Sequence, residues 1–513
     1  MSTATTSPSA NYVGRILAGL ARDPEKTAFH LPTGTTLSHA EFGGLVHRMA
    51  YVLAHHGVGH GITVTFLSRN RADTLAVRYA ANLLGARVAF LYEGLAAEAQ
   101  AAILSDVDTR LLVVDAELAE RVNRILELAR VGTVLTLGPA VVGSDLLAMA
   151  DAAPSSAVSP HPVSPAEPWC IRHTGGTTGH PKGIVMVHGG QQGFLDTITR
   201  IVGVDVVFLA CTTLAHFAGS MSDAVLAGGG TIVLHDHFDP TRVLADIPRF
   251  GVTDLSLLPP LLYQLLDDST IGTVDTSSLK RISYGGCAAS PTRIAEAVER
   301  FGPILFQVYG QNECGGGVTL LTPEDHLRTE LLGTVGHPLP GVEIAIRDSA
   351  GADVEPGQPG EICVRSPMAS TGYWRNPELA AQVWRNGWIH TGDVGYLDTE
   401  GYLHVIDRLK DMIIVAGGHV YPAELEETLL RHPAIAQAAV YGVRDADATE
   451  KVHAALVSHP GHELSLSEVR AHVEATMGVM YSPHKVTVLD RIPLTDTGKP
   501  DKKCLRATES SEC

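Results

Sequence analysis

Glycines, hydroxyls and a lysine crowd into one stretch, His173-Thr-Gly-Gly-Thr-Thr-Gly-His-Pro-Lys-Gly183. Gly175, Gly176 and Gly179 let backbone N–H groups turn toward an anion. Thr174, Thr177 and Thr178 add hydroxyl donors, and Lys182 adds charge. Such a set suits the oxygens of a triphosphate. It is not the loop of P-loop NTPases, because Gly-Lys-Ser/Thr is absent and Pro181 precedes the lysine. No Gly-x-Gly-x-x-Gly dinucleotide fingerprint is present either. Read alone, the stretch equally suits a surface loop.

Other residues of chemical interest lie further along. Glu313 and Asp393 are acceptor-only carboxylates beside glycines. Lys499 follows Thr497-Gly498 and precedes Pro500, the pattern of an exposed turn. Around it, from Lys485 to Arg506, basic residues at 485, 491, 499, 502, 503 and 506 outnumber acidic ones at 490, 496 and 501. His235-Asp-His237 has metal-ligand residue types but no third partner nearby in sequence, so no metal site is expected there.

The stretch from Thr174 to Gly183 resembles the phosphate loop of the adenylate-forming superfamily, which includes acyl- and aryl-CoA synthetases. Four further segments resemble that family in its own order. They are Tyr309-Gly-Gln-Asn-Glu313; Trp388-Ile-His-Thr-Gly-Asp393; Asp407-Arg-Leu-Lys-Asp-Met-Ile413 with Gly417-Gly-His-Val-Tyr-Pro422; and Pro493-Leu-Thr-Asp-Thr-Gly-Lys499. The resemblance implies ATP-dependent activation of a carboxylic acid to an acyl-adenylate with loss of pyrophosphate. Transfer to the thiol of CoA and release of AMP follow. ATP and Mg²⁺ are the implied cofactors, with CoA as co-substrate.

The same resemblance assigns roles. Thr174, Gly175, Gly176, Thr177, Thr178, Gly179 and Lys182 cradle phosphates. Gly286, Cys287, Ala288, Tyr309 and Gly310 border adenine. Asp393 and Arg408 hold ribose, Glu313 holds Mg²⁺, and Lys499 enters the site to neutralise charge during adenylation. Asn312 replaces the family's usual Thr at the α-phosphate. Lys410 is the implied hinge, and Gly417 and Gly418 the implied thiol channel. His216-Phe217 occupies the place of the family's gate beside the acyl group, where amino-acid-activating relatives resemble Phe-Asp; an α-amino acid is therefore disfavoured. Gly285, Gly310 and Gly315 suggest room in the acyl pocket for an aryl, arylacryl or medium acyl group, with Tyr263 and Met221 as further lining. The acceptor is expected to be CoA, with a separate acyl carrier protein or another nucleophile as the alternative. Nitrite-dependent diazotisation of an aryl amine, luciferase-type oxygenation and a catalytically silent homologue complete the alternatives.

These residues need a framework to hold them. Thr231–Leu234, a helix over Pro240–Phe250 and a strand from Leu255 form one β-α-β unit. Arg281–Tyr284, a helix over Pro291–Phe301 and a strand from Ile304 form another. The expected fold is α/β: two parallel-sheet subdomains and a small β-barrel in residues 1–407, then a mobile α+β lid over 408–513. Five prolines between Asp151 and Pro168 mark an extended connection. With Lys+Arg 38 and Asp+Glu 56, the net charge of −18 disfavours nucleic acid and anionic lipid as partners. Seven scattered cysteines without a Cys-x-x-Cys pair suit reduced thiols. With neither a secretory leader nor a membrane span in the pattern, a cytoplasmic monomer or homodimer is expected.

Overall fold

The computed structural model describes residues 11–174, 182–203, 205–408, 411–415, 418–444, 450–462 and 464–509. The alternation of β-branched runs and amphipathic helices resolves into two mainly parallel sheets. The first has seven strands, ordered Ser144–Asp145, Thr133–Leu137, Thr109–Asp115, Thr63–Leu67, Arg87–Phe90, Pro168–Thr174 and Lys182–Val187; only the last pair is antiparallel. In the second, of nine strands, Leu305–Gln311, Arg281–Gly285, Asp254–Leu257, Val207–Ala210, Thr231–Leu234 and Thr27–His30 run parallel at its centre. Every residue of Thr63–Leu67 is buried, as expected of a strand covered on both faces.

Local signals start and stop the crossover helices. Pro240–Phe250 begins at Asp239, whose side chain accepts from the Arg242 N–H, and ends at Gly251 in the left-handed region. Pro291–Phe301 begins the same way on Ser290 and stops at Gly302. Helices Tyr12–Leu20, His39–His55, Ala72–Leu83 and Phe217–Ala227 contribute to one continuous apolar core that also includes strands of both sheets. Within it lies a buried polar knot. Asp223 takes a salt bridge from Arg78, a hydrogen bond from the Tyr79 hydroxyl at 2.6 Å and one from the Gln191 amide at 2.7 Å.

The expected small barrel is an antiparallel sheet of Glu343–Arg347, Gly360–Arg365, Trp388–Leu397, Trp384–Arg385 and Leu403–Arg408. Beyond it, Pro422–Leu430 and Leu466–Met477 pack on a three-stranded sheet around a core of their own. The proline-rich connection has no regular structure from Ala153 to Ser164 and is pinned to the body, with the His161 N–H donating to the Leu83 carbonyl at 2.8 Å. Among the described residues, no helix is long and apolar enough to cross a membrane.

Candidate active site

Parallel strands leave their carboxyl ends open, and the candidate residues gather there. Asp393 is 2% exposed, on Trp388–Leu397 directly across the ladder from Arg408. Its Oδ2 accepts from the Tyr309 hydroxyl and from the Gln311 amide, both at 2.7 Å. Its Oδ1 lies 3.1 Å from Arg408 Nε without hydrogen-bond alignment, so it retains accepting capacity inside the cleft. Burial and the Asp393 charge push the Tyr309 phenol well up, so it stays a donor and its ring is fixed.

Glu313 follows the Leu305–Gln311 strand by two residues. Its Oε1 accepts from the Tyr373 hydroxyl at 2.8 Å. Burial and the Glu313 charge raise the Tyr373 phenol, which keeps its proton. Lys182 Nζ stands 6.0 Å from the centre of the same ring, so Tyr373 connects the carboxylate to the lysine. Among the described residues no basic side chain forms an ion pair with Glu313; an oxygen ligand of this kind fits a hard divalent cation.

His216 lies at the amino end of the Phe217–Ala227 helix, stacked on Tyr92 with centroids 5.0 Å apart and planes 6° apart. Its Nε2 is buried without a hydrogen-bond partner. Burial, then the positive charges of Arg172 and Lys499, push the imidazole down to about 3. The ring is therefore neutral at any physiological pH, and what it offers a ligand is shape and hydrogen bonding, not charge. The unfolded chain binds a proton at His216 near 6.5 while the folded chain does not, so this group's contribution to stability falls as pH drops below 6.5. The same neutrality predicts that His216→Phe changes the size of the rate but not its pH profile between about 5.5 and 8. An inflection present in the wild type near 6.5 and lost in the variant contradicts this.

Lys499 closes a turn in which the Gly498 N–H donates to the Thr495 carbonyl, the Thr495 N–H to the Lys499 carbonyl (each 2.8 Å) and the Lys499 N–H to Thr495 Oγ1. Gly498 takes a φ of +82° against Leu258, where a Cβ would come within 3.2 Å of that side chain. The turn is clasped by the body, since the Gly94 N–H donates to Asp496 Oδ2 at 2.7 Å. Lys499 Cε lies 3.9 Å from the place a Cβ would take on Gly286. Burial pushes the neighbouring Cys287 thiol up to about 12, against the pull of the Lys499 charge, which is too high for a nucleophile.

The structure thus brings Lys499, Gly286, Cys287 and His216 together, and groups Tyr309, Asp393 and Arg408. Phe217 packs edge-on against Phe194, 6.1 Å away. At Gly285, Gly310 and Gly315, assigned above to the acyl pocket, the place a side chain would take is filled by backbone. A Cβ on Gly285 would collide with the Val308 carbonyl, one on Gly310 with the Gly316 carbonyl, and one on Gly315 with the Met368 carbonyl. Gly315 also holds a φ of +84°, which a side chain disfavours. Tyr263 is structural too: its hydroxyl accepts from the Ser290 N–H at 2.7 Å beneath a helix start. Met221 belongs to the main core. His235 is paired with Asp246 at 2.9 Å and His237 with Asp236, so the two histidines do not converge. Gly175, Gly176, Thr177, Thr178, Gly179, Lys410 and Gly417 lie outside the described residues, as does the Thr174 side chain; Gly418 pairs with Val415 in a short hairpin.

Sequence reasoning missed Arg172, Gln311 and Tyr373. The available signal for the first was an arginine inside an otherwise apolar strand, Trp169-Cys-Ile-Arg. Among the described residues, Glu361, Cys363 and His390 also bring three potential metal ligands together. Arg385 lies 3.5 Å from Glu361 and Arg347 acts on Cys363, so this cluster is an ion-pair network.

The chain matches the model of the AMP-binding enzyme over residues 18–374 and that of the AMP-binding enzyme C-terminal domain over 424–499. It is 33% identical to a medium/long-chain-fatty-acid–CoA ligase of Mycobacterium tuberculosis, over 97% of this chain and 90% of that protein. Among solved structures, an amide bond synthetase of Marinactinospora thermotolerans is 36% identical with a TM-score of 0.87, covering 97% of this chain and 99% of that one. The o-succinylbenzoate CoA synthetase of Bacillus subtilis, solved with its acyl-adenylate, is 29% identical with a TM-score of 0.82, over 98% and 99%.

Proposed function

We propose, on the premise that this chain belongs to the AMP-binding enzyme family, that it activates an aryl, arylacryl or medium acyl carboxylic acid with ATP and passes the acyl group to the thiol of CoA. A carboxylate oxygen attacks the α-phosphorus, and the bond to pyrophosphate breaks. The thiolate then attacks the acyl carbonyl, and the bond to AMP breaks. The observation that carries this reading is the position of Lys499, inserted beside Gly286 and His216 from a turn far along the chain.

In this reading Lys499 offsets charge on the reacting phosphate. Asp393 Oδ1 and Arg408 take the ribose hydroxyls, while Tyr309 with Gly286, Cys287 and Ala288 borders adenine. Glu313 holds Mg²⁺, which when bound neutralises phosphate oxygens. Lys182, tied through Tyr373 to Glu313, faces the outer phosphates. His216 shapes the entry to the acyl site as a neutral ring. A panel of carboxylic acids scored for AMP release, with and without CoA, tests the assignment. AMP release that needs both acid and CoA is expected; no acid-dependent AMP or pyrophosphate from any member overturns it.

The division of labour between residues 1–407 and 408–513 belongs to the same proposal. Polar contacts that bridge them in this arrangement include Gly94 to Asp496, and Thr292 Oγ1 to Glu427 at 3.0 Å. Rotation about Lys410 would withdraw Lys499 and present Gly417–Gly418 to the thiol. Lys410→Pro fixes φ there and should impair thioester formation far more than pyrophosphate exchange, or the reverse. Equal loss of both half-reactions counts against a hinge.

A second reading has one observation in its favour. The similarity to an amide bond synthetase supports an amine as the acceptor in place of CoA. Turnover with an amine and no CoA would establish it.

A further inference from the structure

Arg172 sits near the carboxyl end of the Pro168–Thr174 strand and is 6% exposed. Among the described residues the other two buried arginines have carboxylate partners: Arg78 has Asp223, and Arg293 has Asp267 at 2.6 Å. Among the described residues, no carboxylate lies within ion-pair distance of Arg172. Its Nη1 donates to Asn312 Oδ1 at 3.1 Å, and its other side-chain neighbour, the Cys170 thiol, is raised by burial and so stays neutral. Its Nε is buried with no acceptor.

The surroundings deepen the imbalance. His216, neutral through burial, feels the charges of both Arg172 and Lys499. Burial raises the Tyr92 phenol against the pull of Arg172, and its hydroxyl is buried without a partner. Asp223 senses Arg172 only through space, its two oxygens being occupied by Arg78, Tyr79 and Gln191. A guanidinium cannot shed its proton in a protein, and a buried one without a counter-ion is strongly disfavoured.

We propose that Arg172, aimed by Asn312, is an anion-binding residue of the active site whose counter-ion is an oxyanion of the reactants. Two sources present that chemistry beside Lys499 and His216: the carboxylate of the acid and the α-phosphate of the nucleotide. A guanidinium offers either one a planar fork of donors. Asn312 is a positioning residue, since its amide oxygen fixes the guanidinium; this gives the departure from Thr at that position a physical role. The inference rests on the adenylate-forming reading.

The test uses the full chain and the variants Arg172→Gln, Arg172→Lys and Asn312→Ala. Calorimetric titration with AMP and with adenosine measures what the phosphate adds to affinity. Pyrophosphate exchange gives KM for ATP and for whichever acid the wild type turns over best. If the α-phosphate is the counter-ion, Arg172→Gln loses about tenfold of the preference for AMP over adenosine. If it is the carboxylate, the KM for the acid rises about tenfold while that for ATP holds. Arg172→Lys should restore part of the same quantity, and Asn312→Ala should lose a smaller part of it. Where thermal melting shows that Arg172→Gln does not fold, Arg172→Lys is read by the same two ratios. A folded Arg172 variant that keeps both the AMP preference and the acid KM overturns the proposal. A wild type that binds neither AMP nor ATP overturns the functional reading, and the proposal with it.

Discussion

Lys499→Ala should slow acyl-adenylate formation by about 10²–10³-fold while ATP still binds. The magnitude follows from where the ammonium sits. Its chain passes close to Gly286, its charge reaches His216 and Cys287, and no other described lysine acts on His216. Charge that develops as the α-phosphorus is attacked would lose a preorganised cation in a partly dry cleft, where such a cation matters most. Ground-state nucleotide contacts would remain, because Tyr309 and Asp393 belong to strands within residues 1–407, Arg408 pairs with Asp393 across its ladder, and none of the three depends on the lysine turn. Pyrophosphate exchange measures the first effect and AMP titration the second. Exchange at the wild-type rate in the variant would refute the role given to Lys499. A loss confined to thioester formation would relocate it to the second half-reaction.

The second large effect is on stability. Asp223→Ala should cost about 3–5 kcal/mol, because it strands Arg78 in the core without its counter-ion. Burial alone raises the Asp223 carboxyl; the Arg78 guanidinium and the Tyr79 hydroxyl pull it back, and all three side chains are buried. Replacing both charges together, as Arg78→Met with Asp223→Leu, should recover much of the loss, since the pair's own net contribution is small. Denaturant titration of the three variants reads this directly. A single-variant loss below about 1 kcal/mol would mean that the knot is not a buried ion pair in solution. The residue also lies about two turns along the helix that His216 introduces, so the His216 ring should loosen with it.

Sequence resolved the residues that chemistry constrains by type and local spacing. Lys499 sits in a turn its own neighbours encode, and Asp393 and Arg408 lie on segments joined by a short connection, so their meeting across a ladder follows from local pairing. Strands such as Thr231–Leu234 and Arg281–Gly285 and the helices after them were legible because caps, prolines and glycines punctuate them. Contacts between remote segments were not legible. Arg172 meets Asn312 across 140 positions, and Tyr373 meets Glu313 across 60, contacts that no local pattern encodes. What faces Gly285, Gly310 and Gly315 was not legible for the same reason: the carbonyl that fills the place of each missing side chain comes from a different segment. Arg78 and Asp223 are 145 positions apart, and neither shows in sequence that the other neutralises it.

Asp393 joins two sheets. Tyr309 and Gln311 reach it from the nine-stranded sheet, while Asp393 and Arg408 belong to the antiparallel one. In the proposed site, the carboxylate that receives the nucleotide also docks one unit onto the other. Nucleotide occupancy and the seating of the antiparallel unit are then thermodynamically linked, so each ligand bound tightens that seam and any looseness in the seam is paid back as weaker binding. A substitution deep in the antiparallel sheet, remote from every phosphate, can therefore register as a change in nucleotide affinity.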